Sequence, residues 1–262
     1  MSRTDPLAPP FLRLAAHPVR WGLLTALARS DLRVRELVAL IREPQNLVSY
    51  HLRLLREAGL VTARRSNADA RDSYYHLELD VCADAFRSSG SAIHPALPAS
   101  AAPALQPRDP AQLLRCQVLF ACTGNSARSP IAEALLRKRS EGRLDVLSAG
   151  SHPKERLHPL AVRTLREQYG IDIAGQQPRH LDTLTGCRFD YVITLCDKVR
   201  EVCPEVGEPR SQMHWSVPDP AAADGGRPLD YQKFVSAAAE IDTRVRHLLA
   251  TLPMKEAHHD RT

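Results

Sequence analysis

The segment Val118 to Ser129, VLFACTGNSARS, sets a cysteine at the end of an apolar run, then a short polar loop, an arginine and a serine, with Pro130 next. The pattern reads as a strand, an anion loop and a helix start. The loop Thr123, Gly124, Asn125, Ser126 and Ala127 can turn its backbone N–H groups inward around a tetrahedral oxyanion, and Arg128 can grip two of its oxygens in a fork. Gly124 is expected to relieve the turn. Pro130 suits a first helical turn, so a helix N-terminus faces Cys122, and Ser129 can donate to its sulfur. These groups are expected to pull the Cys122 thiol well below its ordinary range and make it a nucleophile at neutral pH.

Five other cysteines stand at 82, 116, 187, 196 and 203. Cys196 closes an apolar run and Cys203 follows seven residues later in TLCDKVREVCPEV. Seven helical residues span about 10.5 Å, whereas a disulfide joins Cα atoms roughly 4.4 to 6.8 Å apart, so a bridge between these two requires the segment to loop or unwind. Cys82, Cys116 and Cys187 read as packed thiols. Asp219-Pro220 follows the last strand candidate and by itself reads as a turn. His214 and Trp215 read as structural. No metal can be assigned.

Positioning these groups requires a sheet with helices around it. Strand candidates at 117–121, 145–148, 191–195 and 214–217 alternate with helices near 130–138, 159–169 and 231–252, which implies a parallel sheet flanked by helices. Residues 88–113 are dominated by Pro, Ala and Ser and read as a linker. The expected organisation is a DNA-binding domain at 1–87, this linker, a catalytic α/β domain at 114–254 and a solvated tail at 255–262. A length of 262 residues accommodates two domains, and the charge of +5 with a pI near 9.0 fits nucleic-acid or oxyanion binding. No apolar run approaches a membrane span, and the first residues lack an apolar stretch of signal-peptide length, so a cytoplasmic location with reduced thiols is expected.

In the first domain, Arg35 to Leu60 reads as two short helices broken at Glu43-Pro44. The second helix would expose Gln45, Asn46, Ser49, Tyr50 and Arg53 and bury Val48, Leu52 and Leu55, the layout of a recognition helix. Two strands around the polar tip Asn67 to Asp72 would form a wing, with Arg64, Arg65 and Arg71 placed to meet a phosphate backbone. The domain is thus a winged helix-turn-helix, mainly α with a β-hairpin.

HPVRWGLLTAL, RELVALI, LVSYHLRLLREAGLVTARR and YYHLEL resemble the ArsR family of winged-helix repressors over about 75 residues. The resemblance implies a homodimer formed through this domain, bound to an inverted-repeat operator. Members that sense metalloids usually carry a cysteine pair before the recognition helix, and LRVRELVALI has none.

CTGNSARS and the later Asp219-Pro220 resemble the low-molecular-weight protein tyrosine phosphatase family, whose signature is C-x5-R-S. The likeness implies a four-stranded parallel sheet of flavodoxin-like order, with Asp219 protonating the leaving oxygen and Asn125 ordering the loop. Cys196 and Cys203 resemble the pair of the family's redox branch, the thioredoxin-coupled arsenate reductases. That resemblance implies attack of Cys122 on arsenate, a Cys122–Cys196 disulfide on release of arsenite, and transfer of the disulfide to Cys203, where thioredoxin or a small thiol opens it. No tightly bound cofactor is expected. Ala221 stands where phosphatases usually place an aromatic residue. Glu133 and Ser148 resemble part of a cation site found in some relatives.

The leading expectation is therefore a bifunctional arsenic-resistance protein, a repressor fused to an arsenate reductase. The alternatives are a phosphomonoester phosphatase fused to a DNA-binding domain, and a regulator whose second domain binds oxyanion without turnover.

Overall fold

The computed structural model describes residues 8–97, 113–202, 211–222 and 230–253. The chain divides into two compact units, Met1–Gln106 and Pro107–Thr262. The expected solvated tail lies outside the described residues, as do Cys203 and most of the expected linker.

In the first unit, α1 (Pro10–Ala15) and α2 (Pro18–Leu27) precede a two-residue strand β1 (Leu32–Arg33). The helices α3 (Val34–Ile41) and α4 (Gln45–Glu57) follow, then the hairpin β2 (Val61–Arg65) and β3 (Ser73–Leu77), then α5 (Leu79–Ile93). Pro18 at the first position of α2, and the His17 ring accepting from Val19 N–H, fix where that helix starts. Arg42, at φ 59°, ends α3 in a left-handed turn, and Pro44 cannot continue a helix, so the two helices separate where the sequence predicts. Leu23, Leu37, Val48, Leu52, Leu55 and Val61 close one core. The sheet order is β1-β3-β2, antiparallel throughout, with Val61 opposite Leu77 and Arg65 opposite Ser73.

α5 corrects the expected boundary at residue 87. The helix continues through RSSGSAI to Ile93, with Ser89 buried and its hydroxyl donating to the Ala85 carbonyl at 2.8 Å. Serine and alanine lack the apolar periodicity that signals a helix, yet they extend one already started.

The second unit holds β4 (Gln117–Cys122), α6 (Arg128–Arg139), β5 (Asp145–Gly150), α7 (Pro159–Tyr169), a 3₁₀ turn (Leu181–Leu184), β6 (Tyr191–Thr194), α8 (Asp197–Val202), β7 (Ser211–His214) and α9 (Tyr231–Thr251). All four strands are parallel in the order β5-β4-β6-β7. Counted within this unit the order is 2-1-3-4, the flavodoxin-like arrangement expected. Val118, Leu119, Phe120 and Ala121 are wholly buried, as a central strand covered on both faces requires. The last strand occupies 211–214 rather than 214–217. Its polar sequence SQMH hides it from a reading based on apolar runs, and Trp215 makes one more bond to Thr194 before the chain leaves the sheet.

Candidate active site

The chain passes from β4 to β5 on one side and later to β6 on the other, so β4 is the point where the winding reverses. In open parallel sheets the crevice beyond the carboxyl ends of the strands at such a point is where ligands bind. Cys122 is the last residue of β4 and sits in that crevice.

A strap following β5 shapes the loop. Ser151, His152, Lys154 and His158 donate their N–H groups to the carbonyls of Cys122, Thr123, Gly124 and Ser126 at 3.3, 2.9, 2.9 and 2.8 Å. Within one peptide the carbonyl and the N–H point opposite ways, so the N–H groups of Thr123, Gly124, Asn125 and Ala127 turn away from the strap. The left-handed residue is Asn125, at φ 42°, rather than Gly124. Asparagine tolerates that region, and here its side chain repays it. Its amide nitrogen donates to Ser129 Oγ and Ser148 Oγ, both at 2.9 Å, and its oxygen accepts from Arg179 N–H at 2.7 Å. The glycine that the loop demands is Gly150, at the end of β5, where a Cβ would stand 2.5 Å from the Thr123 carbonyl oxygen. Sequence reasoning passed over it, although its place directly after a strand in LSAG was a usable signal.

Cys122 Sγ lies 2.9 Å from Ser129 Oγ. Ala127 precedes α6, which starts at Arg128, so the helix opens onto the loop as expected. The thiol itself departs from expectation. Burial pushes the Cys122 thiol up from its ordinary value, Arg128 pulls it down, neighbouring Cys196 pushes it up and the Ser129 hydrogen bond pulls it down. Burial prevails because Cys122 is only 2% exposed. The Arg128 guanidinium is also shared: Nη1 donates to the Val217 carbonyl and Nη2 to Asp219 Oδ2, each at 3.1 Å. Asp219 also accepts from Ala221 N–H at 3.1 Å, which fixes its turn.

Cys196 follows β6 and is buried, with Sγ 3.2 Å from Thr123 Oγ1. The structure thus assembles Cys122, Thr123, Asn125, Arg128, Ser129, Cys196 and Asp219 at one end of the sheet. Cys116 and Cys82 are packed, but Cys187 is exposed, contrary to expectation. It follows Gly186, whose φ of 84° makes a turn that directs the chain outward.

The sequence profile of low molecular weight phosphotyrosine protein phosphatases matches residues 117–258, more than half the chain and the whole of this site. The chain belongs to that family. Residues 17–63 match the profile of bacterial regulatory proteins of the arsR family. The phosphatase-family unit is 34% identical over 134 residues to an arsenate reductase of Halalkalibacterium halodurans, covering 51% of this chain and 95% of that protein. An arsenate reductase of Bacillus licheniformis is 35% identical with the same coverage. A solved structure described as an arsenate reductase in the phosphate binding state is 30% identical, covers 53% of this chain and 99% of its own, and superposes with a TM-score of 0.46.

Behind the anion loop of this phosphatase-family unit, Asn125, Glu133, Arg137, Ser148 and Arg179 line a cavity of about 140 Å³. Glu133 is already paired with Arg137 at 2.9 Å. A carboxylate already neutralised by a guanidinium does not suit a resident cation, and among the described residues no three His, Cys, Asp or Glu side chains converge on a metal-sized site.

In the arsR-family unit, α4 exposes Gln45, Asn46, Ser49, Tyr50 and Arg53 and buries Val48, Leu52 and Leu55, as its periodicity predicts. Arg53 lies over the Tyr50 ring at 5.5 Å. His51, on the same helix, is buried, 4.3 Å from the His17 ring, and burial, His17 and Arg20 hold it below its ordinary value. At the wing, Arg65 and Arg71 are exposed, with Arg71 bonded to Asp69 at 2.8 Å. Arg64 and Arg65 are consecutive in β2 and therefore point to opposite faces, so they do not act together on one surface.

Proposed function

We propose that the chain is a cytoplasmic arsenate reductase joined to its own DNA-binding repressor unit. The observation that carries the reading is the buried Cys196 thiol beside the anion loop, 3.2 Å from the Thr123 hydroxyl. Phosphoester hydrolysis has no use for a second buried thiol there, whereas reduction of arsenic requires two.

Arsenate enters the loop, and its charge draws the Arg128 fork away from Asp219. Cys122 gives up its proton as the anion binds, attacks arsenic and forms a sulfur–arsenic bond. Asp219, freed from Arg128 as a carboxylate, takes up the proton that Cys122 gives up and delivers it to the departing oxygen, which leaves as water. Cys196 then attacks the Cys122 sulfur. A sulfur–sulfur bond forms, the sulfur–arsenic bond breaks, and its electron pair stays with arsenic, which leaves as arsenite, reduced by two electrons. Cys203 then attacks Cys196, the Cys122–Cys196 bond breaks to return the Cys122 thiol, and a thioredoxin-like protein or a small thiol reopens the Cys196–Cys203 disulfide. The Thr123 hydroxyl, 3.2 Å from Cys196 Sγ, holds that sulfur beside the anion loop.

The N-terminal unit binds operator DNA as a homodimer, with α4 in the major groove and the wing on the backbone. Phe86 and Ile93 stand seven residues apart on one face of α5, and both are exposed, which suits contact with a second copy of the chain.

The test is NADPH oxidation in the presence of arsenate, thioredoxin and thioredoxin reductase, comparing the protein with Cys122→Ser, Cys196→Ser and Cys203→Ser. Turnover that needs all three thiols is expected. Cleavage of an aryl phosphate without arsenate turnover would instead support the phosphatase reading.

A further inference from the structure

Cys196 is flanked by two residues whose side chains converge on one ring. His214 Nδ1 meets Thr194 Oγ1 at 2.8 Å and the Thr194 carbonyl at 3.1 Å, while Nε2 meets Asp197 Oδ1 at 3.0 Å. Ser216 Oγ donates to the same carboxylate oxygen at 2.8 Å. A carboxylate that accepts from a hydroxyl and faces a ring nitrogen fixes the proton on Nε2. Thr194, Asp197, His214 and Ser216 are all buried. The ring therefore clamps the chain two residues before Cys196 and one residue after it.

The backbone here is already tied without the ring. Leu195 N–H donates to the Ala121 carbonyl at 2.7 Å, and Trp215 N–H to the Thr194 carbonyl at 2.8 Å. A buried histidine–carboxylate pair adds little net stability over apolar packing, because both groups lose their hydration. Placing one there makes sense where a defined geometry is wanted, and the geometry it defines is that of the Cys196 side chain.

We propose that His214, together with Asp197, is the positioning pair of the second thiol. The clamp holds Cys196 Sγ against Thr123 and within reach of Cys122, so that the attack closing the Cys122–Cys196 bond begins from an aligned pair. The assignment rests on the arsenate reading, since only that reaction uses Cys196.

The experiment uses the full-length protein in a Cys203→Ser background, which keeps the disulfide at Cys122–Cys196. One turnover with arsenate is quenched at intervals and the disulfide quantified by mass mapping, and cleavage of para-nitrophenyl phosphate, which bypasses Cys196, is followed in parallel. Misplacing a reacting atom by about 1 Å can cost up to about a hundredfold, so His214→Ala is expected to slow disulfide closure by roughly tenfold to a hundredfold. Phosphate cleavage should change by less than about threefold, and His214→Gln, whose amide can still donate to Asp197, should recover most of the closure rate. Equal losses in both reactions, or no loss in closure, would overturn the assignment. If His214→Ala does not fold, Asp197→Asn carries the same comparison, and parallel loss there is equally decisive against it. Closure driven by hydrogen peroxide, which oxidises one thiol and leaves the other to displace water, separates the two readings. A clamp effect seen with peroxide but no closure with arsenate keeps the positioning pair and removes arsenate as substrate.

Discussion

Arg128 Nη2 rests 3.1 Å from Asp219 Oδ2, so the guanidinium beside the anion loop and the carboxylate of the later Asp-Pro turn are paired with each other. Arg128 is buried, whereas the Asp219 side chain is 41% exposed. An anion entering the loop therefore competes with the Asp219 carboxylate for Arg128 and leaves that carboxylate free to accept a proton. Arg128→Lys retains the charge but loses the planar fork, and kcat/KM is expected to fall by about 10² to 10³. Asp219→Asn is expected to lower kcat by about 10² or more with little change in KM. Steady-state kinetics on the two variants checks both.

The Cys122 thiol, pushed up by burial, should react slowly with neutral iodoacetamide at pH 7 and faster as pH rises through its raised value. Ser129→Ala removes an interaction that pulls it down, so the whole profile should move to higher pH. Residue-resolved mass spectrometry provides the measurement, with exposed Cys187 as the internal reference. Cys82, pushed up to about 11 mainly by burial, should stay unlabelled across the neutral range. A Ser129→Ala profile displaced to lower pH would contradict this account.

Gly150→Ala places a methyl group 2.5 Å from the Thr123 carbonyl oxygen. Backbone on both sides of that contact must shift, and the inward N–H groups lose their common focus. Inorganic phosphate should then bind at least about tenfold more weakly, read by competition against an aryl phosphate. Asn125→Ala removes three hydrogen bonds, two of them buried, at a left-handed residue and is expected to cost about 2 to 4 kcal/mol in stability. Thermal denaturation reports that loss.

At the wing, Asp69 is held down at about 2 by its bonds to Arg71, so the pair stays charged over the whole working range of pH. Each arginine that reaches a phosphate contributes about one unit to the salt dependence of DNA affinity. Arg71→Ala should reduce that slope by about one unit, while Asp69→Asn frees the guanidinium and should raise affinity. Fluorescence anisotropy over a salt series, with operator DNA taken from upstream of the coding region, distinguishes the two effects.

The sequence displayed whatever rested on short-range chemistry. CTGNSARS named the thiol, the loop and the guanidinium, and the spacing of Val48, Leu52 and Leu55 named the buried side of α4. Contacts made across the sheet were hidden. Gly150 is 28 residues from the thiol it accommodates, and its need for no Cβ arises only when β5 lies beside β4. The state of Cys122 was misjudged for a similar reason. Its helpers are local in sequence, whereas its burial and the capture of Arg128 by Asp219 come from tertiary packing. β7 escaped because an edge strand with polar side chains carries no apolar run.

The strap that turns the carbonyls of Cys122, Thr123, Gly124 and Ser126 outward leaves a receptor made of backbone donors. Such a receptor gauges tetrahedral shape and negative charge and is blind to the central atom. Backbone donors alone do not separate phosphorus from arsenic, so discrimination would have to come from the chemistry after binding, where arsenic can accept an electron pair and phosphorus keeps its oxidation state. Under the proposed reading phosphate competes with arsenate for these donors, and arsenate throughput follows the ratio of the two oxyanions rather than the amount of arsenate alone.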